Sequence, residues 1–142
     1  MCAKHVGYLI KQVFLMNQAQ LNAIFSEFDL TGSQVFTLIF LFKAHEKNIE
    51  VNQKDIEKEM EISNPTVTGI LNRLEHKGLI RRAACRSDAR AKNIIVTEKA
   101  LELNKVLKKK FQENDAQLTS ALTEEEVSNL ELYLEKILCH HT

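Results

Sequence analysis

Proline and glycine are rare in this chain, which holds one of the first and four of the second in 142 residues. So few glycines leave no glycine-rich loop to cradle a phosphate, and the serines and histidines show no triad-like grouping. The usual marks of an enzyme are therefore missing, and neither catalysis nor a cofactor is expected. No apolar run is long enough to cross a bilayer, and the first residues lack the pattern of a secretory signal. Three cysteines, an odd count, fit reduced thiols, so a cytoplasmic protein with no membrane partner is expected. Net charge is silent too, since 19 basic and 19 acidic residues cancel. The length suits one compact unit with a sizeable core.

What the chain does have is concentrated between Asn52 and Thr97. Ile56 and Met60 are apolar four apart, then a break precedes the run from Ser63 to Gly78. Ser63 is placed to N-cap a helix by accepting from a backbone N–H of the first turn. Pro65 is tolerated only at such a start, where no N–H partner is lost. Gly78 suits the left-handed position just past a helix end. Between these limits Val67, Ile70, Leu71 and Leu74 share one face. The opposite face carries Pro65, Gly69, Asn72 and His76, flanked by Thr66, Thr68 and Arg73. Small and polar groups of this kind suit a major groove, where hydroxyls and amides can meet base edges. Gly69 costs roughly 1 kcal/mol against alanine in a helix, so a close approach is expected there. Leu79-Ile80-Arg81-Arg82 and Asn93-Ile94-Ile95-Val96-Thr97 then read as two strands around a cationic loop. Helix, turn, helix and hairpin describe a winged helix-turn-helix.

The charges are unevenly spread. From Arg73 to Lys92 there are seven basic residues (Arg73, Lys77, Arg81, Arg82, Arg86, Arg90, Lys92) against Glu75 and Asp88. From Gln112 to Glu135 there are seven acidic residues and no Lys or Arg. A local cationic patch on a neutral protein can hold phosphates while limiting indiscriminate association.

Lys77-Gly78-Leu79-Ile80-Arg81-Arg82, then Asp88 with Arg90, then Thr97, resembles the MarR family of bacterial regulators. The family pattern is a Lys-Gly-Leu-Ile/Val-x-Arg lead-in, an Asp-x-Arg wing tip and a Leu-Thr-x-x-Gly helix start. Val96 and Ala100 depart from it, each by an apolar or small replacement. The resemblance implies a transcriptional regulator, most simply a repressor, on double-stranded DNA. It puts Arg90 in a minor groove, where a narrowed A·T-rich segment concentrates negative potential. Asp88 would hold an arginine, Arg90 or Arg86, by a charge-assisted pair. Ser63 would open a reading helix that offers Asn64, Pro65, Thr66, Thr68 and Asn72 to base edges and sugars. Arg73, Arg81, Arg86 and Lys92 would meet phosphates, which position rather than specify.

The flanks are helical in pattern. Apolar residues recur from Lys4 to Phe28; Thr31-Gly32-Ser33-Gln34 is a capping box for a helix over Val35 to about His45. Thr97 caps a long helix to about Ala121, and Thr123-Glu124-Glu125-Glu126 starts another, with Val127, Leu130, Tyr133, Leu134, Ile137 and Leu138 in its stripe. These faces exceed what a small winged helix can cover. The fold expected is mainly α with a small β-hairpin wing. Residues 31–97 would form the DNA-binding lobe, and residues 1–30 and 98–142 a helical region joining a homodimer. A two-fold dimer demands a pseudo-palindromic site with half-sites about 34 Å apart.

Control has two candidate routes. Phe14, Phe25, Phe28, Phe36, Phe40, Phe42 and Phe111 are core by spacing. By the family resemblance, the helix junction below the lobe can also hold a small aromatic or phenolic effector, with Tyr8 and His45 as polar handles. Alternatively, Cys85 lies beside Arg81, Arg82 and Arg86, whose cations favour its thiolate; Cys2 and Cys139 would meet across a dimer and pair on oxidation. The soft ligands of Cys2-Ala3-Lys4-His5 are spaced as a chelate would need, but Cys139-His140-His141 is a consecutive triplet, and no metal site is expected. A helical protein-interaction module without DNA binding would explain the terminal helices but not the cationic wing.

Overall fold

A computed structural model of the chain describes residues 5–86 and 90–142. Cys2 and Asp88 lie outside the described residues, so the pairing of Cys2 with Cys139 and the arginine-holding role of Asp88 do too. The order is α1 (Val6–Glu27), α2 (Gly32–Glu46), α3 (Gln53–Met60), α4 (Asn64–His76), β1 (Ile80–Ala84), β2 (Lys92–Val96), α5 (Glu98–Leu118) and α6 (Glu124–His140). The architecture is mainly α with one antiparallel hairpin, as the sequence pattern predicts.

Caps explain most boundaries. Thr31 with Gln34 opens α2, Asn52 with Asp55 opens α3, and Thr123 with Glu126 opens α6, each with both reciprocal bonds formed. The second of these boxes was not anticipated. Because Thr31 is itself the cap, α2 starts at Gly32, three residues before the expected Val35. The Thr97 hydroxyl accepts from the Ala100 N–H (3.2 Å) and donates to the Gly78 carbonyl (2.7 Å), so one side chain starts α5 and closes the turn after α4. Gly78 sits at φ +75°, the left-handed conformation expected of it. Ser63 is the N-cap of α4 by position only: its hydroxyl bonds the Thr66 hydroxyl (3.0 Å) and makes no capping bond. That corrects the expectation for Ser63, and the reason is local, since Thr66 offers a nearer partner one turn on.

Val67, Ile70, Leu71 and Leu74 are all buried and meet Val35, Leu38 and Ile56 in one core. The hairpin closes over it. Ile80 pairs with Val96, Arg82 with Ile94 and Ala84 with Lys92, so that Ile80, Ile94 and Val96 face inward. The Ile94 N–H donates to the Val51 carbonyl (2.7 Å) and the Val51 N–H donates to Asn93 Oδ1 (3.0 Å), stitching the entrance of α3 to β2. Lys77 reaches back from the end of α4 to the Asp29 carbonyl and, at 3.4 Å, to Gln34 Oε1. This ties α4 to the joint where α1 and α2 meet at 82°.

Towards the ends the packing thins. Asn17 accepts from Asn114 Nδ2 at 2.8 Å where α1 crosses α5. The first half of α1 leaves Val6, Leu9, Ile10, Val13 and Phe14 exposed, and α6 contributes no buried residue at all. Among the described residues no single helix is long and apolar enough to cross a membrane.

Candidate nucleic-acid interface

With its apolar face in the core, α4 turns two polar ridges outward. On one, Pro65, Thr66, Gly69 and Arg73 border a recess shared with Thr31, Ser33 and Gln34 of the α2 start. On the other, Thr68 and Asn72 border a groove shared with Asn52, Gln53 and Lys54 of the α3 start and with Arg82, Arg90 and Lys92 of the hairpin. Four basic side chains line this groove, and no carboxylate is among its described lining residues. Basic side chains along a trough between a helix and an arm match the potential that a phosphate backbone requires.

The predicted polar readers are engaged with their neighbours. Asn64 Nδ2 donates to Glu57 Oε2 (2.8 Å), and the Thr68 hydroxyl accepts from Gln53 Nε2 (2.8 Å). Asn72 Oδ1 accepts from Arg82 Nη2 (3.2 Å), while Arg82 Nη1 reaches Glu75 Oε1 at 3.3 Å. Pro65 is the second residue of the helix and exposed. A Cβ on Gly69 would meet only the Arg73 guanidinium, at 3.3 Å. Arg73 is flexible there, so nothing within the protein itself demands glycine.

The predicted phosphate contacts separate into groups. Lys92 and Arg90 are in the groove, Arg73 lies on the other ridge, and Arg81 is exposed on β1. Arg86 belongs elsewhere: its backbone N–H donates to the Glu50 carboxylate (3.0 Å), and it lines a cavity of about 250 Å³ between the end of α2 and β2. Gln53, Lys54 and Arg82 are part of the groove but were missing from the sequence-derived set. For Gln53 and Lys54 the signal was available, because Asn52-Gln53-Lys54-Asp55 is a capping pattern.

Below the lobe, Phe14, Leu21, Phe25 and Phe36 line an open pocket of about 350 Å³ with Asn17, Gln18, Asn22 and Ser33 as its polar groups. Phe25 packs edge-to-face on Phe36 and Phe111, with centroids 6.5 and 5.9 Å apart. The expected handles are not in it: Tyr8 is exposed on α1, and His45 lines the cavity behind the hairpin. Cys85 is buried and Cys139 exposed.

A helix-turn-helix continued by a cationic hairpin defines a winged-helix DNA-binding protein. The MarR family model matches residues 30–92. A mutant of MepR from S. aureus is 31% identical, with a TM-score of 0.86 over 98% of this chain and 100% of that one. The S. aureus MepR–DNA complex is 30% identical, with a TM-score of 0.76 over 97% and 99%. The HTH-type transcriptional regulator PecS of Dickeya dadantii (strain 3937) is 27% identical over 95% of this chain and 80% of that protein. The chain belongs to the MarR family of DNA-binding transcriptional regulators.

Proposed function

We propose that the protein is a homodimeric repressor that reads a pseudo-palindromic operator and releases it when a small aromatic or phenolic molecule binds. The observation that carries the DNA reading is the groove that brings Lys54, Arg90 and Lys92 together beside the polar face of α4. A structural neighbour solved as a complex with DNA supports it. In this reading Ser63, Asn64, Pro65, Thr66, Thr68 and Asn72 face the major groove and Arg90 reaches the minor groove. Arg73, Arg81 and Lys92 neutralise phosphates, and Asp88 holds an arginine of the wing; Arg86, turned towards Glu50, is left out of the set.

Dimerisation falls to residues 1–30 and 98–142. A 17-residue helix such as α6, with no buried side chain, is marginal alone in water and needs a partner surface. A second copy laid on α6 would cover Leu134, Ile137 and Leu138, all exposed in one chain. The aromatic pocket favours a ligand as the signal: it is apolar-walled with a few amides, as small-molecule sites generally are. Thiol oxidation is the weaker route, because burial of Cys85 hinders access to its sulfur.

Selection from a random duplex library, followed by fluorescence anisotropy over several salt concentrations, tests the reading. A recovered palindrome bound with a steep salt slope is expected, and Arg90→Glu should weaken binding at least about a hundredfold with the fold intact. Failure to enrich any sequence would leave the protein-interaction alternative standing. A panel of phenols and aromatic acids, added to the bound duplex, then tests release.

A further inference from the structure

The Arg82 guanidinium sits between the hairpin and the recognition helix, mostly covered, with one nitrogen on Asn72 and another on Glu75. Asn72 and Glu75 are three apart and therefore neighbours on one ridge of α4. Arg82 is in the middle of β1, opposite Ile94. A planar guanidinium with nitrogens fixed in a fork can bridge two groups at once, which a lysine ammonium on a flexible stem does poorly. We propose that Arg82 is a positioning residue: by holding Asn72 and Glu75 it fixes the angle between wing and recognition helix, and Asn72 serves as a brace and not as a base reader.

The proposal deepens the DNA-binding reading and rests on it. A wing and a helix that engage two grooves of one duplex gain from a fixed mutual angle, because freedom between them must be lost on binding. Reading adenine takes both ends of an asparagine amide, Oδ1 towards N6 and Nδ2 towards N7. Holding Oδ1 on Arg82 turns that amide towards the wing. Thr68, one turn earlier on the same ridge, is likewise held by Gln53 from α3. Asn64 is held in the same way by Glu57, so base reading then concentrates on the other ridge, at Pro65, Thr66 and Gly69. The bare backbone at Gly69, with only the movable Arg73 above it, leaves room for a base edge or a thymine methyl.

The test uses the full-length protein and the duplex recovered by selection with the wild type. Arg82→Gln, Arg82→Lys, Glu75→Gln and Asn72→Ala are titrated by anisotropy across salt, with thermal melts to confirm folding. Each is expected to weaken binding by about tenfold, the loss of a charge-assisted bond. The salt slope should stay unchanged, and Asn72→Ala combined with Arg82→Gln should be little worse than Arg82→Gln alone. Repeating the selection with Asn72→Ala should return the wild-type sequence. If Arg82→Gln instead lowers the salt slope by about one while Arg82→Lys binds like wild type, Arg82 is a phosphate contact and the proposal falls. It falls equally if Asn72→Ala changes the preferred base at one position. If the wild type enriches no duplex, both this inference and the DNA reading are lost; if it does and the four variants bind normally, only the brace is lost.

Discussion

The two capping boxes at Thr31 and Thr123 are built alike, yet the helices they open have opposite fates. α2, capped by Thr31, runs straight into the core, where Val35, Leu38, Leu41 and Phe42 are buried. α6, capped by Thr123 with both reciprocal bonds formed, holds no buried residue. Local sequence chemistry sets where a helix starts; it says nothing of what lies against the helix afterwards. In the lobe the chain supplies its own partners, even for polar groups: Gln53 for Thr68, Glu57 for Asn64, Arg82 for Asn72. At the ends apolar side chains such as Val6, Phe14, Ile137 and Leu138 stay exposed.

Substitutions in the two regions should separate these behaviours. The largest effect is expected from Leu71→Ala, which empties a site with no exposed surface: roughly 2–5 kcal/mol in denaturant unfolding at any protein concentration. Ile137→Asp in α6 should leave lobe stability nearly untouched but weaken self-association by about 2 kcal/mol, near thirtyfold, in sedimentation equilibrium. A lobe that melts earlier after Ile137→Asp would break the distinction. The caps sharpen it further. Thr31→Ala and Thr123→Ala should each cost about 1 kcal/mol. The first should appear as a lower melting temperature, the second as helical circular dichroism lost on dilution. Least of all, Lys105→Gln removes an exposed i,i+3 ion pair with Glu102 and should change stability by no more than about 0.5 kcal/mol.

Much of the lobe was legible because its signals are local. Pro65 near the start of α4, Gly78 past its end, the i, i+3, i+4, i+7 set from Val67 to Leu74 and the basic loop each act within a few residues. The left-handed turns at Asp29, Asn48 and Glu61 were less so, since none is glycine and Glu61 has no short side chain to favour that conformation. Contacts between elements were hidden for another reason. Gln53 meets Thr68 and Arg82 meets Asn72 across 15 and 10 residues, and no periodicity in the sequence marks such pairs. Seven phenylalanines could be counted, but which four groups of α1 and α2 would line a pocket depended on the 82° bend between those helices. The sequence also favoured Ser63 as a side-chain cap, and the hydroxyl of Thr66 took that bond instead.

The stitch at Val51 limits how the molecule can be rearranged. An isolated two-stranded hairpin is barely stable in water, and here the Val51 carbonyl accepts from the Ile94 N–H while the Val51 N–H donates to the Asn93 side chain. The wing is therefore not a detachable module. A chimera that transplants the hairpin of a relative has to carry residue 51 along with residues 80–96. Otherwise the new arm joins the old reader without the bonds that hold the two in register.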